Sequence, residues 1–520
     1  MLRVQLSPSY LSFFLFLIIV FTACEPEETT ITVSGTVTSQ AGALVDGAMI
    51  TASSRSTTIT DLSGKYSIIA PKDGTITIEA DGFIPQTVDV NNQTVIDISL
   101  DFDPWVTSFS TNNNSIKDPQ FPFNSLIPSA SLPAPNATDP WFSAAPYAGA
   151  VEISFGNPWY SGWSFFDRIV AGNLNSASLN IAGKPTLVVN NSWMQAQGNT
   201  INWSADTVYI LDSFVFVERG QTLHIAAGTV IQGRAGTATG ASALIIARGA
   251  QIMAIGTPTN PIIFTYEGDM GGSAASNRGQ WGGLLILGEA SINTSSGENQ
   301  IEGIPISDPR GFYGGNNDLD NSGQLSYVSI RHGGTSIGAG NEINGLTLGA
   351  VGSNTIIDHV EVIGNKDDGI EWFGGTVNAK YLIAAYCGDD ALDYDEGYRG
   401  KNQFVIVYLD PNAGEYGGEH DGGTSPQTGT PFSTPQFWNV TSVGNSSSQA
   451  LIFQDNAGGA YHNSIFTNYD KGVAIEDEKR QEQDSYKQFV DGNLKIANSI
   501  FFNIGNNSTP DDIFFINYIQ

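Results

Sequence analysis

The chain has 520 residues, room for two or three domains and a sizeable core, and its 52 acidic against 22 basic side chains give a formal net charge of -30. Such a surface repels nucleic acid and anionic bilayers and attracts divalent cations, which argues against nucleic acid as a partner. Glycine is abundant at 58 residues and charged residues are sparse at 14%, a balance that suits a turn-rich β protein better than a helical one.

Residues 1–23 contain an apolar run from Leu11 to Phe21 with Arg3 ahead of it, and the run ends in Phe21-Thr22-Ala23-Cys24. Small residues before a single cysteine at such a place resemble a bacterial lipobox, which implies cleavage before Cys24 and a lipid on its thiol. An ordinary signal peptide or a transmembrane anchor is the alternative, although the run is short for a span. Glu25-Pro26-Glu27-Glu28, within a tether over 24–30, is similar to acidic tags that direct lipoproteins to the outer face of the outer membrane. The expected membrane partner is therefore reached through the lipid, with the chain exposed at the cell surface. Cys387, at the end of a predicted strand, reads as a buried apolar residue, so no disulfide framework is expected.

Residues 31–101 alternate apolar and polar in Ile31–Val37, Ala48–Ala52, Lys65–Ile69 and Thr75–Ala80, with Gly and Asp turns between, the spacing of a small β-sandwich. Gly42–Ala48, Thr60-Asp61-Leu62-Ser63-Gly64-Lys65-Tyr66 and Asp81-Gly82-Phe83 resemble the carboxypeptidase-regulatory-like domain. That resemblance implies a transthyretin-like sandwich without peptidase activity.

Residues 102–200 open with Asn112-Asn113-Asn114 and prolines 119, 122, 128, 133 and 135, an extended linker. Aromatics follow in Pro140-Trp141-Phe142, Pro158-Trp159-Tyr160 and Gly162-Trp163-Ser164-Phe165-Phe166. Exposed rings of this kind can stack on sugars, but the preferred reading is an apolar cap on the open end of a solenoid.

Residues 201–520 read as a right-handed parallel β-helix, so the fold class is all-β: sandwich, then β-helix. Small-apolar-outward-apolar units recur at Gly345, Gly369, Ala391, Ala450 and Gly472, with steps of 24 (345 to 369) and 22 (369 to 391, 450 to 472). A second set of strands, including His359–Val362 and Phe404–Val407, forms another sheet, with Asn439, Asn463 and Asn498 at bends that suit left-handed geometry. A charged helix is expected over Asp477 to Phe489 as an excursion. The strand pattern from Val208 to Gly288 resembles pectin-lyase-like β-helix surface proteins.

Strand alternation sends Ile370 and Trp372 inward and leaves Glu371 and Phe373 facing water. Stacking coils ~4.8 Å apart then aligns Thr347, Glu371 and Asp393 in one column and Gly349, Phe373 and Asp395 in the next. Laying Gly418-Glu419-His420-Asp421-Gly422-Gly423 on Ile370–Gly375 adds Glu419 and Asp421. Carboxylates stacked this closely need a proton, a cation or a basic partner.

Asp367-Asp368 and Asp389-Asp390 precede these columns one coil apart. Turn aspartates ordinarily bond their own backbone. The ligating alternative is Ca2+, with Asp367, Asp368, Glu371, Asp389, Asp390, Asp393, Asp395, Glu419 and Asp421 as donors, since a hard cation takes several oxygens from adjacent loops. A third reading is catalysis. Gly388-Asp389-Asp390 and Gly418–Gly422 are faintly similar to polygalacturonase-like hydrolases, without the Gly-His-Gly core or the basic tripeptide of that family. A pectate-lyase-like reaction needs calcium and a base, here Arg399 or Lys401. The enzymatic set would be Asp390, Asp393, Glu419, His420, Arg399 and Lys401. The leading expectation is instead a non-enzymatic binding or adhesion module for a polysaccharide or surface protein, with a calcium-dependent lyase or a glycoside hydrolase as the alternative.

Overall fold

The structure is a computed structural model and describes residues 29–519 except 81, 120–131, 153–156, 174–177, 238–239, 339–340, 424, 479–482 and 506–508. The lipobox reading, Cys24 and the acidic tag lie outside the described residues. The chain divides into two compact units, Met1–Phe102 and Asp103–Gln520.

The first unit is a two-sheet sandwich. Thr30–Ser39 pairs antiparallel with Lys65–Pro71 and parallel with Ile98–Leu100, while Met49–Ala52, Thr57–Ile59, Thr75–Glu79 and Gln86–Asp89 form an antiparallel sheet. Period-two burial explains the pairing: Tyr66, Ile68 and Ala70 point inward from one sheet and meet Ile50, Ile76 and Ile78 from the other.

The second unit is a parallel β-helix of a 17-stranded and a 10-stranded sheet. The shorter sheet runs from Phe214–Val217 through Leu346–Gly349, Ile370–Phe373 and Leu392–Asp395 to Phe514–Ile519, every pairing parallel. Inward positions form one continuous core, with Leu348, Trp372 and Tyr394 stacked at successive levels. The first rung is Thr186–Val189, which pairs with Val208–Leu211, so winding starts ahead of Ile201.

Strands of the longer sheet bend at one residue each. Asn439, Asn463 and Asn498 have φ of 56°, 51° and 54°, the left-handed geometry expected of them. The coils before them place Tyr327, His359, Tyr381 and Phe404 at the same corner, with φ from 52° to 61°. A bulky residue there is strained by about 1–2 kcal/mol. The four rings stack in sequence at 4.3, 4.3 and 4.9 Å, and aromatic pairing of about 0.5–1.5 kcal/mol each offsets much of that strain.

The aromatic cluster of 140–166 does not cap an end. Trp159 meets Tyr381 at 5.3 Å, Trp163 meets Tyr327 at 5.6 Å and Phe142 meets Trp438 at 5.6 Å, so the segment plates the flank where the corner rings protrude. Buried Glu361 fixes it, accepting from the backbone N–H groups of Phe165 (2.7 Å) and Phe166 (3.1 Å) at the start of helix Phe165–Val170. The last coil is covered by helix Pro104–Thr111, whose Trp105 stacks on Phe514 at 4.6 Å. The helix expected over Asp477 to Phe489 is shorter. Asp477 and Glu478 end strand Lys471–Glu478, and the helix is Ser485–Val490, started by the Asp484 side chain bonding Lys487 N.

Trp372 is fully buried against Tyr398, with ring centroids 5.2 Å apart. Trp372→Ala is expected to lower stability by about 3–5 kcal/mol in chemical denaturation; a loss below 1 kcal/mol would mean the lumen is not packed this way.

Candidate functional site

The outer columns of the ten-stranded sheet have the expected register. Glu371 pairs with Asp393 and Asp393 with Glu419, while Phe373 pairs with Asp395. Asp421 then follows Asp395, and the columns continue into Ile452 and Gln454. The acidic part of this seam is thus three coils deep.

The seam is partly withdrawn from water, with Glu371 buried and Phe373, Asp393, Asp395, Glu419 and Asp421 half-buried, a correction to the expectation for Glu371 and Phe373. The excursion leaving strand Leu284–Leu287 folds back over it. Tyr313 lies 5.9 Å from the Phe373 ring, and Asn344, arriving just before Leu346–Gly349, donates through Nδ2 to Glu371 Oε2. Only 7% of Glu371 remains exposed.

Of the turn aspartates, Asp368 and Asp390 bond the next coil rather than their own backbone. Asp368 Oδ1 accepts from Asp390 N at 3.0 Å, and Asp390 Oδ1 accepts from Tyr416 N at 2.7 Å. Each buried carboxyl is therefore a vertical staple. The Asp390 and Glu419 side chains are also hydrogen-bonded to each other.

Asp368, Glu371 and Asp393 each place one carboxylate oxygen within 4.8 Å of the others, as do Asp367, Asp368 and Asp389 around the turn. Asp393 Oδ1, Asp421 Oδ1 and the Asn344 Oδ1 amide oxygen are buried with no hydrogen-bond partner among the described residues. Burial, then the neighbouring carboxylates, pushes Asp368, Glu371, Asp390, Asp393 and Asp421 well above the usual carboxylate range. Burial also raises Glu419, and burial followed by Glu396 pushes Asp395 up to about 7.

The proposed bases stand elsewhere. His420 points into the lumen, because it pairs with inward Tyr394: its ring lies 4.1 Å from the Tyr394 ring, its Nε2 bonds Tyr461 Oη at 2.7 Å, and burial lowers its pKa to about 3. Arg399 turns from the seam to Ser291 Oγ (2.8 Å) and Asp318 (3.2 Å). Lys401 begins a strand of the other sheet and pairs with Asp139. Of the enzymatic set, the fold brings together Asp390, Asp393 and Glu419 and separates His420, Arg399 and Lys401.

Sequence reasoning missed Asn344, and Glu396, which accepts from Tyr313 Oη at 2.8 Å and Asn299 Nδ2 at 2.6 Å. It also missed a second acidic group, Asp455, Glu476 and Glu478, bridged by Gln427. Reading the 472 repeat one residue further, to Glu476, would have found it.

A family model described as a pectate-lyase-like beta helix domain matches residues 195–517. The chain belongs to this family. In the pectate-lyase-like β-helix chain a second model, the carboxypeptidase regulatory-like domain, matches residues 32–101. A search of curated proteins finds none that matches. Among solved structures, the Streptococcus pneumoniae surface protein and adhesin PfbA aligns at 10% identity over 63% of this chain and 93% of that one, with a TM-score of 0.16. That score carries no argument about the site.

The raised carboxyl pKa values fix a pH dependence. The folded state holds protons that the unfolded chain has released, so stability without cations is full below pH ~4 and falls as pH rises; for Asp395 the window closes near pH 7. Melting temperatures in chelator from pH 4.5 to 8 should decline, and less steeply in Glu371→Gln and Asp395→Asn. A profile rising with pH would contradict the burial of these groups.

Proposed function

We propose that the protein is a non-enzymatic, surface-anchored binding module whose acidic seam holds a calcium ion. The observation carrying this reading is the convergence of Asp368, Glu371 and Asp393 oxygens within 4.8 Å under a cover that includes Asn344. Among the described residues no Lys or Arg forms an ion pair with these three, and their nearest charged neighbours are further carboxylates. Leaving them as bare anions is unfavourable, and a divalent cation neutralises all three at once. Calcium accepts 6–8 oxygens in irregular geometry, and the three carboxylates with the unpartnered amide oxygen of Asn344 supply part of that shell, water the rest. The ion would tie neighbouring coils together and fix the surface offered to a polysaccharide or partner protein. A lipid on Cys24 would hold the chain at the outer membrane, exposed at the cell surface.

Calcium at a hundredfold its Kd should stabilise the protein by about 2.7 kcal/mol relative to chelator, read as a rise in melting temperature. Asp393→Asn should remove most of that rise. No shift in the parent protein, or an equal shift in the variant, refutes the reading.

A further inference from the structure

The outer face of the longer sheet carries a recess of a different character. A cleft of about 210 Å³ lies where the flank segment meets the coils, lined by Trp141, Thr355, Ile356, Asp358, Asn378 and Lys380. Its floor is a tile of register partners: Asp358 beside Lys380, and Ile356 beside Asn378, on adjacent coils. Strand geometry sets the tile at ~4.8 Å by ~6.6 Å.

Each corner offers a distinct chemistry. Asp358 is an acceptor whose Oδ1 bonds His359 Nδ1, with 43% of its side chain exposed. Lys380 is a donor held in place by Trp141 O (2.7 Å) and Ser143 Oγ (3.0 Å), its Nζ 4.5 Å from the Trp141 ring centroid. Asn378, also in the lining, uses Oδ1 to accept from Lys401 N at 2.9 Å, and its amide nitrogen is a further donor. Ile356, 50% exposed, and the half-buried Trp141 indole supply apolar surface beside these groups.

We propose that this cleft binds one neutral hexopyranose unit of a glycan. Vicinal hydroxyls donate and accept at once, which an adjacent carboxylate and ammonium satisfy together. The C–H face of the ring meets the indole and Ile356. The opposed charges of Asp358 and Lys380 leave the cleft without net charge, while a chain of net charge -30 disfavours an anionic sugar. The volume falls below the ~300–1,000 Å³ typical of drug-sized ligands, which suits a single ring. The site is separate from the acidic seam and needs no cation.

The test is an array of neutral glucose, galactose and mannose oligosaccharides, followed by calorimetric titration of any hit on the full chain. The proposal expects binding that persists in chelator and in Asp393→Asn, and that falls at least tenfold in both Trp141→Ala and Asp358→Asn with unchanged melting temperature. Asp358→Asn preserves shape, so a loss there is not a folding defect. Failure of every neutral glycan to bind, binding only to acidic glycans, or binding that survives both substitutions overturns the proposal. Calcium-dependent stabilisation is read separately, so either proposal can fail alone.

Discussion

Vertical registry governs this molecule. In a parallel coil every side chain has a counterpart ~4.8 Å above and below, so its neighbours are set by strand pairing and hardly at all by sequence distance. The first outer column of the shorter sheet shows what that permits. It reads Phe216, Ile245, Leu285 and Thr347, then Glu371, Asp393 and Glu419, then Ile452 and Ala474. Apolar side chains stack freely once covered, but like charges do not. The acidic levels are thus a bounded insertion in an otherwise apolar or small-residue column.

The longer sheet meets the same constraint with aromatic rings. Its corner positions need left-handed backbone, which asparagine adopts readily and tyrosine, histidine and phenylalanine do not. Stacking compensates those rings for the strain but leaves them standing out from the sheet. Trp159 and Trp163 then cover them edge-on, and the segment carrying these two also brings Trp141 to the edge of the floor that Asp358 and Lys380 occupy. A local backbone requirement thereby leads to a cleft whose floor spans two adjacent coils.

Register was legible in the sequence because small-apolar-outward-apolar units survive even where the coil lengthens, as between Asp393 and Glu419. The same alignment already fixed His420 inward, since laying Glu419 on Glu371 lays His420 on Trp372; parity contradicted a role for it beside the carboxylates. Arg399 and Lys401 misled through closeness in sequence: after Asp395 the chain turns a corner, and six residues further on it is in the other sheet. The cover was illegible because it is aperiodic. Nothing in the residues around Tyr313 announces that its hydroxyl will reach Glu396, a contact 83 positions away that exists only once the excursion leaving Leu284–Leu287 has folded back, whereas Asn344, one coil below Asp368, was open to the register argument.

That cover changes the chemistry of what it covers. In open water, carboxylates at these spacings would be screened and only mildly perturbed. Beneath Tyr313 and Asn344 they lose solvent, and the desolvation that dominates each of their raised pKa values makes every unneutralised charge expensive. Replacing one level with Arg or with an apolar residue would relieve this, as Ile452 and Ala474 do further along the same column. The chain instead keeps three acidic levels, buries Glu371 and leaves Asp393 and Glu419 half-buried. Its folded state is therefore conditional on a proton or a cation at that point, and a fold otherwise held by apolar stacking becomes responsive to its ionic surroundings through one seam.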